Sequence, residues 1–153
     1  FKASTYHRPI TVTNKQTNST LAEQWESSLL NYRSIHIPEM PNLFMMLGPN
    51  SPIANVSNTL IAEWQSKYIA NCIDEVLTKC IAITPRRSAV DAQREDLQRA
   101  SEKTTWLSGG CDNSWFLYGK NQTLLYPHPP LRYRNDIRKI LWNDLDIVKL
   151  DDS

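Results

Sequence analysis

The stretch "MPNLFMMLGPNSPIANVSNTLIAEWQSKYIANCIDEVL", Met40 to Leu77, decides how the chain reads. A continuous apolar run, Leu43 to Leu47, predicts a strand buried on both faces, as in a parallel sheet. It meets Gly48-Pro49-Asn50, a corner of turn residues, and then a polar loop of small side chains. Beyond the loop, Val56, Leu60, Ile61, Trp64, Tyr68, Cys72, Ile73, Val76, Leu77 and Cys80 recur at spacings of three and four. That spacing predicts one amphipathic helix from Val56 to Cys80, with Leu60, Trp64, Ile73 and Leu77 on the buried face and Ser57 or Asn58 as N-cap. Cys72 and Cys80 fall on the apolar side and read as buried spacers.

A strand, a Gly-Pro corner and a helix N-terminus together have a chemical use. The first amides of a helix lack intrahelical acceptors and carry a partial positive charge. Gly48 has no side chain to hold a ligand away from the backbone. Such a corner suits a phosphate or an electron-rich ring edge, although most corners of this kind bind nothing.

Working outward, Ile10-Thr11-Val12-Thr13 reads as a strand and Asn14 to Asn18 as a turn. Leu21 to Leu30 is weakly helical, and Tyr32 to Ile37 reads as a strand stopped by Pro38. Ile81-Ala82-Ile83 predicts a short strand. Thr84-Pro85 reads as an N-cap and first helical residue, opening a polar helix to about Lys103. Trp115–Tyr118 and Thr123–Tyr126 look extended about a Gly119-Lys120-Asn121 turn, and a last helix is expected from Arg132 to Trp142.

The chain has 153 residues, enough for one domain with a core. Its 17 Lys+Arg against 16 Asp+Glu leave a formal charge of +1, so nothing global favours nucleic acid. No run is long enough for a membrane span. Three cysteines, Cys72, Cys80 and Cys111, without Cys-x-x-Cys spacing, argue against a disulfide framework or zinc site and for a cytoplasmic location. His7, His36 and His128 are scattered, with no metal-ligand spacing, and read as structural or exposed. Cys111, Trp106, Trp115 and Asn121 each fit packing or turn roles. No acid, base or metal ligand stands out, so no catalytic residue and no metal are expected.

The order of motifs resembles the C-terminal segment of FAD-dependent monooxygenases of the Baeyer–Villiger and flavin-containing type. One signature is Pro41-Asn42-Leu43-Phe44, Gly48-Pro49-Asn50-Ser51 and Glu63-Trp64-Gln65 followed by Tyr68-Ile69. A second is Trp106, Ser108-Gly109-Gly110-Cys111, Ser114-Trp115-Phe116 and Gly119-Lys120-Asn121-Gln122-Thr123-Leu124, with Tyr126-Pro127. Departures are Tyr126-Pro127-His128 in place of Trp-Pro-Gly, an extra Asn113, and Asn55-Val56 where small or apolar residues are common. The chain begins at Phe1, which in the family follows Ala-Thr-Gly. Its four glycines, Gly48, Gly109, Gly110 and Gly119, cannot form the Gly-x-Gly-x-x-Gly dinucleotide fingerprint.

The resemblance therefore implies roughly the last third of such an enzyme. The fold class it implies is α/β and incomplete: residues 1–84 close a Rossmann-like FAD-binding region, and residues 85–153 form a helical and β-hairpin extension. The implied cofactors are FAD and NADPH, which in the complete enzyme act with O2 on a small organic substrate, either a ketone or a soft heteroatom. Gly48, Pro49, Asn50, Asn55, Val56, Ser57 and Asn58 carry over as the flavin-facing positions. The implied partners are the missing N-terminal part or a second copy. The competing expectation is a non-catalytic remnant that binds another protein through an open sheet edge.

Overall fold

The computed structural model describes residues 10–26, 28–52, 56–108, 114, 116–118 and 122–150. The elements are α1 (Leu21–Gln24), α2 (Asn58–Lys79), β1 (Ile81–Pro85), α3 (Arg87–Ser101), α4 (Thr105–Ser108), β2 (Leu117–Tyr118), β3 (Gln122–Thr123), α5 (Pro130–Asp136), a 3-10 turn (Trp142–Asp144) and β4 (Leu145–Lys149). Two small antiparallel sheets form, β1 with β4 and β2 with β3. β1 and β4 pair from Ile81 opposite Lys149 to Pro85 opposite Leu145. Helix and strand are thus mixed, and no parallel pair occurs among the described residues.

The Leu43–Leu47 run is not the expected parallel strand. It makes a single antiparallel bridge, Phe44 to His36, and Met45 N–H donates to Ile35 O at 2.8 Å. Asn42 and Leu47 adopt positive φ, which breaks an extended conformation at both ends. The run is continuously apolar for another reason: it threads between two cores. Phe44 and Leu47 pack against the core that includes Ile61, Tyr68 and Ile83, while Leu43 and Met45 pack against the core that includes Trp25, Ile37 and Leu124.

Asn42 explains how this segment joins the sheet. Its N–H donates to Ile83 O (3.0 Å), its Oδ1 accepts from Ile83 N (2.9 Å) and its Nδ2 donates to Ile81 O (3.3 Å). One asparagine at φ 57 closes the outer edge of β1 in place of a strand.

α2 is the expected long helix, with Ser57 at its N-cap, but its buried stripe runs between the expected residues, with Leu60 and Trp64 flanking it on one side and Ile73 and Leu77 on the other. Ile61, Gln65, Tyr68 and Cys72 are buried, whereas Leu60, Ile73 and Leu77 are 38%, 43% and 71% exposed. The core-facing stripe contains a glutamine, and reading apolar residues alone displaces the centre of the face. Cys80 is also exposed, in the left-handed conformation (φ 49) that ends α2.

Thr84-Pro85 belongs to β1, and α3 begins at Arg87 with Arg86 as its cap residue. The bonds Leu150 N–H to Cys80 O and Arg86 N–H to Asp144 O put the even-numbered residues of β1 in the bonding phase. Pro85 therefore lacks nothing the ladder needs. β4, which holds β1, was not foreseen; the expected helix from Arg132 stops at Asp136. Near the N-terminus, the Ile10–Thr13 strand reduces to one bridge from Thr13 to Thr20, and α1 is a single turn closed by a Thr20–Glu23 capping box. Tyr32 to Ile37 is a tight reversal with Arg33 and Ser34 at positive φ, not a strand. β2 and β3 form the expected hairpin, whose turn at 119–121 lies outside the described residues.

Candidate functional site

Gly48, Pro49 and Asn50 form a buried corner. A Cβ on Gly48 would sit 2.4 Å from the backbone oxygen of Ser34 and 3.3 Å from Met45 Sδ. The close approach that requires glycine is therefore made by the chain's own reversal at Arg33-Ser34. Asn50, in the left-handed conformation at φ 64, is equally committed. Its N–H donates to Leu124 O (2.9 Å) and its Nδ2 to Thr123 O (2.7 Å), while its Oδ1 accepts from Asn31 Nδ2 (3.3 Å). These bonds pin the corner to the β2–β3 hairpin.

Gln65, fully buried on α2, fixes the corner from the other side. Its Oε1 accepts from Leu47 N–H at 2.7 Å, and its Nε2 donates to Ser51 Oγ (3.1 Å) and Tyr133 Oη (2.5 Å). The Tyr133 hydroxyl donates in turn to Arg33 O at 2.9 Å. Helix α2, helix α5, the reversal and both flanks of the corner thus share one saturated network. Burial pushes the Tyr133 phenol up to about 12, so it stays a neutral donor. Sequence reading quoted Gln65 in a motif without giving it a role and did not single out Tyr133; the available signal was a glutamine at core phase inside an apolar helix stripe.

Val56, Ser57 and Asn58 stand apart from that network. Val56 is half-buried, and Ser57 and Asn58 are exposed. Ser57 makes no side-chain capping bond and the first turn of α2 holds no acidic residue. Among the described residues, neither a side-chain cap nor a first-turn acid offsets the partial positive charge at the amide end of this 22-residue helix. Asn55 lies outside the described residues, as do His7, Cys111, Trp115 and Asn121.

His36, Cys72, His128 and Arg132 have structural roles. His36 is buried between the rings of Phe44 and Tyr68, with Nε2 2.9 Å from Tyr68 Oη. Desolvation first, and the charge of Arg33 second, lower its pKa to about 4, so it is neutral. Burial raises the Cys72 thiol to about 11, which makes it unreactive. His128 and Arg132 share Asp96, at 2.9 and 2.6 Å. Trp106 packs edge-on to Phe116. Among the described residues, no group of three metal-ligating side chains occurs and no helix is long and apolar enough to cross a membrane.

The side-chain-free face of Gly48 is already filled by Ser34, so it offers no cradle to a flavin. The entrance of α2 does fit the electron-rich edge of a ring, since it offers amide donors and its first turn carries no carboxylate.

No family profile matches the chain. An uncharacterized monooxygenase of Mycobacterium tuberculosis is 30% identical over 135 residues, which is 88% of this chain and 27% of that protein. A Baeyer–Villiger monooxygenase of Streptomyces coelicolor is 32% identical over 79% of the chain and 24% of its own length. An FAD-binding monooxygenase of Aspergillus niger is 26% identical over 94% of the chain and 24% of its own length. In fold, the chain superposes on cyclohexanone monooxygenase from Rhodococcus sp. Phi1 bound to NADP+ with a TM-score of 0.79, at 20% identity, over 97% of this chain and 28% of that one. The chain spans about a quarter of the length of the curated relatives it matches. It is, over that quarter, a relative of the Baeyer–Villiger and FAD-binding monooxygenases, and it carries the fold of a corresponding part of a solved one.

Proposed function

We propose that the chain is the C-terminal portion of an FAD- and NADPH-dependent monooxygenase, in which the α2 entrance faces the flavin and the Gly48–Asn50 corner sets its position. Residues 1–84 would complete the FAD-binding region, Rossmann-like in the whole protein, and residues 85–153 would form the extension that packs beside it. A bound flavin, reduced by NADPH, would supply the redox chemistry that places one oxygen atom of O2 on a ketone or soft heteroatom. Val56, Ser57 and Asn58 present backbone amides to the pyrimidine edge, and the helix dipole favours the negative charge of the reduced ring. The saturated Gln65–Tyr133–Arg33 network keeps that entrance in place. No general acid or base for the reaction stands out among the described residues, and in this reading the chain is inactive alone. The free thiols of Cys72 and Cys80 accord with a cytoplasmic setting.

The observation that carries this reading is relatedness to monooxygenases over almost the whole chain, together with an uncapped, acid-free helix N-terminus at the carried-over positions. The test is a chimera in which this segment replaces its counterpart in the Streptomyces coelicolor relative. A yellow chimera that oxidises NADPH in the presence of a cyclic ketone supports the reading. A soluble, folded but colourless chimera overturns it in favour of a non-catalytic segment.

A further inference from the structure

A cavity of about 480 Å³ lies between the Ser28–Asn31 segment, α3 and the β2–β3 hairpin. Two glutamines on opposite walls are held in the same way. Gln93 Oε1 accepts from Arg33 N–H at 2.8 Å. Gln122 Oε1 accepts from the Ser28 hydroxyl (3.2 Å) and from Leu29 N–H (3.3 Å). With each carbonyl oxygen fixed by protein donors, the amide orientation of both side chains is set, and each keeps an –NH2 group with no acceptor among the described residues. Both residues line the cavity, as does Arg94, which enters no ion pair among the described residues. No carboxylate is among the described lining side chains. Two oriented amide donors and a guanidinium, with no lining carboxylate opposing them, favour an acceptor-rich, negatively charged oxygen group.

We propose that this cavity binds an anionic oxygen ligand, a phosphate or a carboxylate, through Gln93, Arg94 and Gln122. None of the three ligand residues belongs to the corner or the α2 entrance, although Asn50 of the corner also lines the cavity. The volume admits a ligand larger than a bare anion.

The full chain is titrated with inorganic phosphate and, separately, with succinate, at constant ionic strength set by chloride. Binding is followed by calorimetry and by the NMR shifts of the Gln93 and Gln122 side-chain amides. Saturable binding of phosphate alone assigns a phosphate ligand; binding of succinate alone assigns a carboxylate. Gln93→Glu and Gln122→Glu retain the inward acceptor oxygen and replace only the cavity-facing –NH2, so the thermal midpoint without ligand should hold while affinity falls about tenfold or more. Arg94→Gln, at an exposed helix position, should do the same and decides the matter if either glutamate variant misfolds. The proposal is overturned if neither anion binds saturably, or if binding survives Arg94→Gln unchanged.

Discussion

The Gly48–Asn50 corner and the Val56–Asn58 entrance are neighbours in sequence and were read as one site, yet they are built in opposite ways. Every special residue of the corner has a partner inside the chain: Ser34 for Gly48, the hairpin strand for Asn50, and Gln65 for the flanking Leu47 and Ser51. The entrance has none of this, since its cap residue forms no side-chain bond and its residues are mostly exposed. A glycine or asparagine motif with an internal explanation says little about a ligand. A helix end left unsatisfied says more.

Substitutions can break that contrast, and the largest effect belongs to the inward side of the entrance helix. Ile61→Asp places an unpaired carboxylate in the core and should cost at least about 4 kcal/mol or prevent folding. Leu60→Asp, one residue away on the exposed side, should cost less than about 1 kcal/mol by urea denaturation. Equal losses would show that placing Ile61, and not Leu60, on the buried stripe of α2 is wrong.

Gly48→Val should destabilise the chain by about 3 kcal/mol or more, without any flavin present, because a Cβ has nowhere to go. If the variant is as stable as the parent and loses only flavin in the chimera, the corner faces the ligand after all. Gln65→Met preserves volume but strands the Leu47 amide, Ser51 and Tyr133; a loss of about 2 to 3 kcal/mol is expected by the same measurement.

His36 gives the corner's surroundings a pH signature. Its folded pKa of about 4 lies below the unfolded value near 6.5, so the unfolded chain binds the extra proton between those limits. Stability is therefore complete above about pH 6.5 and falls as pH drops toward 4, by about 3 kcal/mol in total. Denaturation midpoints of wild type and His36→Gln across that window should diverge at high pH and converge at low pH; parallel curves would refute a buried neutral imidazole.

The smallest change in stability, at the entrance, is the most telling for function. Asn58→Asp puts an acid in the first turn of α2, which should stabilise the helix by about 0.3 to 1 kcal/mol. In the chimera the same charge should lower the flavin midpoint potential, since reduced, anionic flavin is repelled. An unchanged potential would separate the entrance from the cofactor.

How much was legible follows from the range of the interactions. Helix α2, strand β1, the hairpin and the resemblance to monooxygenases depend on local periodicity, turn residues and short motifs, all of which a sequence displays directly. The sense of Leu43–Leu47 was half legible: the run is buried on two sides, but between two cores and not inside a sheet. Three things were decided only by tertiary structure. The phase of α2 depends on Gln65 finding Ser51 and Tyr133, residues 14 and 68 positions away. The end of β1 depends on β4, more than fifty residues downstream, which claims Thr84 and Pro85 from a helix start that local rules favour. The requirement for glycine at position 48 depends on Ser34, whose oxygen occupies the space that the motif seemed to leave for a ligand. Local patterns record what a residue prefers, and only the folded chain determines which neighbour satisfies it.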